Sequence, residues 1–360
     1  MADAVASGSS PEEKRTLRRI DELVRRGLVA ERDADLLEQV AERYAVAVSP
    51  AMLALIDAGD CADPIARQFV PDPRELVVTP EERADPIGDR AYAPVKGIVH
   101  RYPDRALLKP THVCPVYCRF CFRREQVGPE GEGLSAAELA LAFDYIRTRP
   151  EIFEVIVTGG DPFVLGSRRL GEIVRTLDAI DHLGAIRFHT RVPVAAPEWI
   201  DDALIAALSA AKPVYVAIHA NHSREITPAF RAACRRMAHA GISLLAQTVL
   251  LKGVNDDVAV LEGLLRALVA AGVKPYYLHH PDLARGTSHF RLSLAEGRAL
   301  VSALRGRISG LCQPTYVLDI PGGVGKAPVA PSAARPRGDE SWEVADYRGG
   351  RHFYPSLGEI

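Results

Sequence analysis

The chain has 360 residues, 48% of them hydrophobic and 25% charged, with a formal net charge of -2. That is an ordinary globular balance, long enough for one large barrel-type domain with an appendage or for two smaller domains, and a charge so near zero gives no electrostatic case for a nucleic-acid or membrane partner. Six cysteines in this length are too few for a disulfide scaffold, so a reducing compartment is implied and small molecules are the expected ligands.

The first residues, MADAVASGSSPEEKR, lack the basic start and apolar core of a secretory signal, and Asp3, Glu12 and Glu13 argue against an organelle transit peptide. No apolar run reaches the roughly 18 residues of a membrane span, the stretch 261–273 being broken by Arg266. A cytoplasmic location is expected. Residues 1–10 read as a frayed tail, after which Pro11, Glu12 and Glu13 mark the first turn of a helix continuing through Leu23 and Val24. A second helix is expected over 34–44. Leu17, Ile20, Leu23 and Val24 recur at helical spacing, as do Leu36, Leu37, Val40 and Tyr44, so each helix has one apolar face for packing on the main domain. Residues 1–58 therefore form an N-terminal helical region. Residues 59–97 hold Pro64, Pro71, Pro73, Pro80, Pro86 and Pro94, too much proline for regular structure, and read as an extended connector.

Over 98–326, short β-branched runs alternate with helical stretches. Strands are expected at 106–109, 153–158, 186–190, 214–219, 244–250 and 275–279, and helices around 135–148, 168–179, 197–210, 227–240, 257–271 and 293–305. Such alternation argues for an α/β fold whose parallel sheet closes fully or partly into a barrel, with functional residues after the C-terminal ends of the strands. Residues 327–360, rich in Pro, Arg and Gly, read as a C-terminal tail set against the core.

The loop after the first strand carries Thr111–Glu125, THVCPVYCRFCFRRE, with Cys114, Cys118 and Cys121 inside eight residues. Three thiolates are one short of the four protein ligands of a structural zinc or a fully ligated iron–sulfur cluster, which leaves an iron with an open position. A zinc completed by His112 or a distant residue, and three plainly buried thiols, are the alternatives. Cys61, Cys234 and Cys312 stand alone and read as buried packing thiols. After the second strand, Thr158-Gly159-Gly160-Asp161-Pro162 holds two glycines that let the backbone approach a ligand, or that form only a tight turn. Near the C-terminus, Asp319-Ile320-Pro321-Gly322-Gly323-Val324-Gly325-Lys326 ends a glycine loop on a lysine. Ala327 follows where a Walker motif needs Ser or Thr, which disfavours a nucleoside triphosphate; the amine suits an imine with a cofactor aldehyde, and a surface lysine is the plain alternative.

The C-x3-C-x2-C spacing resembles the signature of the radical S-adenosylmethionine (SAM) enzymes, in which three cysteines bind a [4Fe-4S] cluster whose fourth iron chelates the methionyl group of SAM. The glycine segment resembles the one that meets the methionyl amine. Joined by HRYPDRALL (100–108), QTVLLKGVND (247–256), KPYYLHHPDLARGTSHFR (274–291) and PTYVLDIPGGVGKAPV (314–329), these motifs resemble the lysine 2,3-aminomutase family, in that family's order over residues 95–330.

The resemblance implies an incomplete (βα)6-type radical SAM barrel with N-terminal helices and a C-terminal tail. It implies that Cys114, Cys118 and Cys121 bind the cluster and that Thr158, Gly159, Gly160, Asp161 and His219 lie at SAM, His219 keeping the alternative of a core histidine. Lys326 would form the imine with pyridoxal 5'-phosphate, with Arg101, Tyr102, Arg105 and Gln247 holding or flanking that cofactor. Arg123 would clamp the substrate carboxylate through paired hydrogen bonds; its plain alternative is a solvated arginine, the reading given to Arg119 and Arg124 beside it. Asp282 and Asp319 would grip the side-chain ammonium of lysine, since a cation entering a water-poor pocket must be paired and two close carboxylates are tolerable only around a cation. As lone residues, either would more often cap a loop.

The implied activity is an intramolecular amino transfer, an isomerisation of L-lysine to β-lysine, begun when an external electron donor reduces the cluster. A homo-oligomer is the expected assembly. Two features depart from the family. No cysteine follows Cys312, where long clostridial-type members carry a zinc group that links subunits, and His279 and Pro281 replace the aromatic and cysteine residues expected ahead of Asp282. Short zinc-free relatives make β-lysine for attachment to translation elongation factor P, which gives a maturation role as an alternative. A non-catalytic iron–sulfur or zinc-binding protein is the alternative of another class, and it leaves Lys326, Asp282 and Asp319 unexplained.

Overall fold

Residues of opposite character alternate along the central strands with the two-residue period of the pleat, and that alternation decides which face meets the core. Val155, Val157, Ile186, Phe188, Val216 and Ile218 are buried in the main apolar core. Glu154, Thr158, Arg187, His189, Ala217 and His219, the residues between and beside them, line one interior cavity instead. The sheet thus has an apolar outer face under helices and a largely polar inner face. Fully burying each such aliphatic side chain is worth about 1.5–3 kcal/mol, so the outer face holds the fold while the inner one is left for ligands.

The computed structural model describes residues 15–338 and 340–355. Its main sheet runs in chain order through β1 (Ile98–Tyr102), β2 (Arg105–Thr111), β3 (Glu154–Gly159), β4 (Ala185–Thr190), β5 (Val214–His219), β6 (Ser243–Val249), β7 (Lys274–His279), β8 (Thr315–Ile320) and β9 (Gly325–Pro328). Strands β2 through β8 are parallel to their neighbours, and β1 and β9 join the two ends antiparallel. The sheet order ends at β1 and β9, and the seam between them is bridged where the Lys326 N–H donates to Tyr102 Oη at 2.6 Å. The result is a nearly closed, barrel-like sheet.

Each of the six expected strands is present. Expectation stopped short of β1, whose HRY ending is polar, and of β8 and β9, which the glycine turn separates. The helices Ala136–Arg147, Ser167–Asp178, Pro228–His239, Val258–Ala270 and Leu294–Leu304 fall where periodicity places them. Several start on side-chain caps: Ser135 accepts from Glu138 N–H at 3.2 Å while the Glu138 carboxylate accepts from Ser135 N–H at 2.8 Å. The helix expected over 197–210 is broken into Pro197–Trp199 and Asp202–Ala207, because Asp201 caps a fresh start through Leu204 N–H at 2.8 Å.

The first helix begins only at Ile20. Leu17 is extended and exchanges backbone hydrogen bonds with Val48 at 3.0 and 2.9 Å, a long-range pairing that overrides the helical spacing, and the expected start at Pro11 lies outside the described residues. Cys234 and Cys312 are buried as expected, whereas Cys61 is exposed on the turn-rich segment after the first helices. The tail forms a small antiparallel sheet, β10 (Ala334–Pro336), β11 (Trp342–Ala345) and β12 (Arg351–Tyr354). Among the described residues, no helix is long and apolar enough to cross a membrane.

Residues 59–97 have little regular structure, yet they are fastened to the barrel by buried acids. Asp63 accepts from Arg224 at 2.7 Å, Glu75 from Arg119 at 2.6 Å, Glu82 from Arg291 at 2.8 Å and Asp89 from Arg123 at 2.9 Å. Gly88 has φ +67, and a Cβ there would come within 2.7 Å of the Gly322 backbone, so the segment presses directly on the turn between β8 and β9.

Candidate active site

A cavity of about 420 Å³ opens at the C-terminal ends of the parallel strands. It brings together every residue that the resemblance places at the site. The loop after β2 contributes Cys114, Cys118, Cys121 and Arg123, and the end of β3 contributes Thr158, Gly159, Gly160 and Asp161. His219 and Gln247 come from β5 and β6, Asp282 from the loop after β7, Asp319 from β8 and Lys326 from β9. Arg101, Tyr102 and Arg105 close the circle from β1 and the start of β2.

The cysteine loop is short and lies against the glycine turn of β3. Gly160 N–H donates to Thr111 O at 2.7 Å, and a Cβ on Gly160 would come within 2.3 Å of Val113 O. All three cysteines line the cavity. Burial pushes the Cys121 thiol up to about 11 and that of Cys114 well above its ordinary value, so ionisation there calls for a cation to replace the proton. His112 is not on the cavity lining, and its Nδ1 lies 2.9 Å from Glu132 O. Among the described residues, no three His, Cys, Asp or Glu side chains converge to chelate a single ion. A donor set of three thiols on a cavity wall, without a converging fourth ligand, fits a multi-iron cluster with an open position better than a lone zinc.

The Asp161 carboxylate is committed to partners within the chain. Oδ1 accepts from Thr190 Oγ1 at 2.7 Å and Phe163 N–H at 3.0 Å, and Oδ2 accepts from Arg191 N–H at 2.7 Å. Both oxygens are thus used in fixing the loop after β4. Arg119 and Arg124, read from sequence as solvated, are buried: both donate to the fully buried Glu75, and Arg119 also reaches Ala45 O at 2.8 Å. Their charges cannot stay in water because Glu75, far back in the proline-rich segment, needs partners.

Asp89 is the site residue that sequence reasoning missed. One oxygen accepts from Arg123 Nε at 3.0 Å and Nη2 at 2.9 Å, with Lys109 Nζ at 3.7 Å, and the other accepts from Arg101 Nη2 at 3.2 Å. Burial opposes its charge, but Arg123 and Lys109 outweigh burial and hold its carboxyl below the usual range. Three cations around one carboxylate leave positive charge in excess, and Arg101 and Arg123 both line the cavity, so this corner suits an anionic group. Arg105 stacks on Tyr102, its guanidinium carbon 3.7 Å from the ring centroid.

A second group on the cavity lining carries the opposite charge. Asp319 and Lys326 are directly paired residues of the antiparallel β8 and β9. Lys326 Nζ lies 2.6 and 2.5 Å from the two oxygens of Asp319, and His279 Nδ1 lies 3.6 Å from Oδ2. Burial opposes the Asp319 charge, yet the nearby His279 and the Lys326 ammonium hold its carboxyl low; burial and the Asp319 charge push Asp282 up. The pair is therefore short of positive charge. Gln247 Nε2 reaches His189 Nε2 at 3.1 Å, and His219 Nε2 lies 3.2 Å from Asn221 Oδ1, with burial keeping both imidazoles neutral.

The Radical SAM superfamily model matches residues 108–262. The L-lysine 2,3-aminomutase of Clostridium subterminale is 37% identical over 313 residues, which cover 87% of this chain and 75% of that protein. The enzyme of the same name from Acetoanaerobium sticklandii is 40% identical over 80% of this chain and 69% of its own length. A glutamate 2,3-aminomutase from Clostridioides difficile is 36% identical over 90% of this chain and 78% of its own. Relatives named for lysine and for glutamate stand at nearly equal identity, so overall similarity does not choose between a cationic and an anionic side chain; the charges in the cavity must.

Proposed function

This chain belongs to the lysine 2,3-aminomutase family of radical SAM enzymes, and from that premise we propose that it converts L-lysine to β-lysine, with pyridoxal phosphate as its second cofactor. The observation that carries the choice of lysine is the pair Asp282 and Asp319 on the cavity lining, where burial and then the Asp319 charge raise the Asp282 carboxyl, so that ionising both acids calls for a second cation. A lysine ammonium supplies that cation, and a glutamate carboxylate would add a third negative charge to the wall.

When bound, the cluster with SAM supplies hydrogen abstraction and pyridoxal phosphate supplies the group that carries the migrating nitrogen. The chain's own residues do the rest. Cys114, Cys118 and Cys121 hold the iron, and Lys326 presents its amine from β9. Arg101 and Arg105, beside Tyr102, offer donors for a phosphate. Arg123, braced by Asp89, offers a planar fork for the α-carboxylate. Asp282 and Asp319 seat the ammonium, so the substrate is gripped at both ends and its middle carbons are fixed between. Phe120 and Tyr277, both on the cavity wall, help to exclude water from that space.

The test is anaerobic reconstitution with iron, sulfide, SAM and pyridoxal phosphate, followed by assay of lysine and glutamate in parallel. β-Lysine and 5'-deoxyadenosine from lysine are expected. Turnover of glutamate in preference to lysine would sink the substrate assignment.

A further inference from the structure

Arg191 stands at the end of β4 in a setting that the reading above does not use. Its side chain is 6% exposed and its guanidinium carbon lies 4.5 and 5.6 Å from the ring centroids of Phe69 and Phe120. Nη2 donates to Gln68 Oε1 at 2.6 Å and to Glu225 Oε2 at 3.1 Å, while Nη1 donates to Cys118 Sγ at 2.8 Å. The backbone is pinned as well, since its N–H donates to Asp161 Oδ2.

Glu225 is fully buried and has other donors of its own: Gln68 Nε2 at 2.8 Å, Asn221 N–H at 3.2 Å and His222 N–H at 3.1 Å. Residues 68, 191 and 225, from three separate stretches of chain, thus commit buried polar groups to aiming one guanidinium at one thiol. Packing alone does not explain this, because an apolar side chain of similar volume would fill the space without the cost of desolvating an ion pair. At Cys118 the donor is a full cation, always charged.

We propose that Arg191 is a positioning residue for the iron–sulfur cluster, donating through Nη1 to the sulfur of Cys118 and thereby favouring the cluster's reduced form. The inference rests on the cluster reading of the three cysteines. Reduction brings one electron from an external one-electron donor and places one more negative charge on the cluster and its sulfurs. A cationic hydrogen-bond donor in a dry, weakly screening site stabilises the more negative state more, and so raises the reduction potential. The arrangement also supplies a purpose for Asp161: by holding the Arg191 backbone, it sets where the guanidinium arrives.

The experiment uses the full chain reconstituted anaerobically with iron and sulfide, and an EPR-monitored redox titration of the cluster. Arg191→Gln combined with Glu225→Gln removes both charges together, so no buried ion is left unpaired and the distant field cancels while the bond to sulfur is lost. The double variant is expected to hold as much iron as wild type and to have a more negative midpoint potential. At a reductant poise that half-reduces wild type, its reduced fraction should fall several-fold. Arg191→Lys, which keeps the charge opposite Glu225, should lie between the two and carries the same readout if the double variant loses its cluster. Iron content and midpoint potential both equal to wild type would overturn the inference. A wild-type chain that assembles no cluster would overturn the reading beneath it.

Discussion

The ammonium of Lys326 lies between the two oxygens of Asp319, at 2.6 and 2.5 Å. The amine proposed to meet pyridoxal phosphate and the carboxylate proposed to meet the substrate therefore hold each other. They do so because β8 and β9 place them opposite one another across a tight turn. Two effects of opposite sign follow when the carboxylate is removed.

With Asp319→Asn, Lys326 is released from the carboxylate that holds its Nζ, and the amine is freer to reach an aldehyde. Covalent uptake of pyridoxal phosphate, followed by its visible absorbance, should become severalfold faster. Lysine turnover should move the other way, with kcat/KM falling on the order of a hundredfold to a thousandfold, the loss of about 3–4 kcal/mol for one partner of a buried charge pair. Lys326→Ala should abolish the absorbance and leave the cluster spectrum intact. Slower uptake together with an unchanged KM for lysine would show that the pairing has no part in either step.

Asp282 gives a pH signature. Burial and the neighbouring Asp319 raise its carboxyl above the ordinary range, so the folded chain binds more protons there than the unfolded chain does. Stability should fall as pH rises from the ordinary carboxylate value through the raised one. An arriving ammonium favours the ionised form, so lysine binding should release a proton and tighten with rising pH up to the raised value, then level off. Calorimetry in two buffers of different ionisation enthalpy measures the proton release directly. Asp282→Asn should eliminate both the release and the slope.

Asp89 is expected to matter for assembly as much as for binding. Asp89→Asn leaves Arg101, Arg123 and Lys109 without their common anion at the cavity edge. Breaking a buried pair of this kind costs about 3–5 kcal/mol, which should lower Tm by several degrees. Inorganic phosphate should restore part of the loss, and by more in the variant than in wild type, because it replaces the missing charge. A variant that melts like wild type, with no added response to phosphate, would remove Asp89 from the site.

What could be read from sequence divides along sequence distance. Cys114, Cys118 and Cys121 announce themselves by spacing, and Gly159, Gly160 and Lys326 by adjacency to glycine turns. Strands such as Val214–His219 show as β-branched runs bounded by breaks. Asp89 and Glu75 carry no such signal. They are single acids in a proline-rich stretch without periodicity, and their partners lie 34 and 44 residues downstream at Arg123 and Arg119. Only the folded chain discloses that pairing. The same holds for Leu17, whose helical spacing is real but yields to Val48 across 31 residues of chain. The arginines around the cysteine loop were ambiguous for a related reason: nothing local distinguishes a solvated guanidinium from one that answers a distant buried carboxylate.

The glycine turn beside the cysteines allows the sharpest structural test. A Cβ on Gly160 would meet Val113 O at 2.3 Å, His112 C at 2.7 Å and Val113 N at 2.7 Å. All three are backbone atoms of the segment leading into Cys114, so relief requires moving that segment rather than rotating a side chain. Gly160→Ala should therefore push the start of the cysteine loop away from β3 while leaving the apolar outer face of the sheet, and with it the fold, in place. Far-UV circular dichroism should be unchanged, and iron bound per chain after reconstitution should fall several-fold. Gly166→Ala is the matched control: nothing lies within 4 Å of a Cβ there, and its φ of -56 suits any residue. It should hold iron like wild type. Full iron loading of Gly160→Ala would mean that the loop can yield without losing the cluster, and that the contact between the two turns does not set the positions of the thiols.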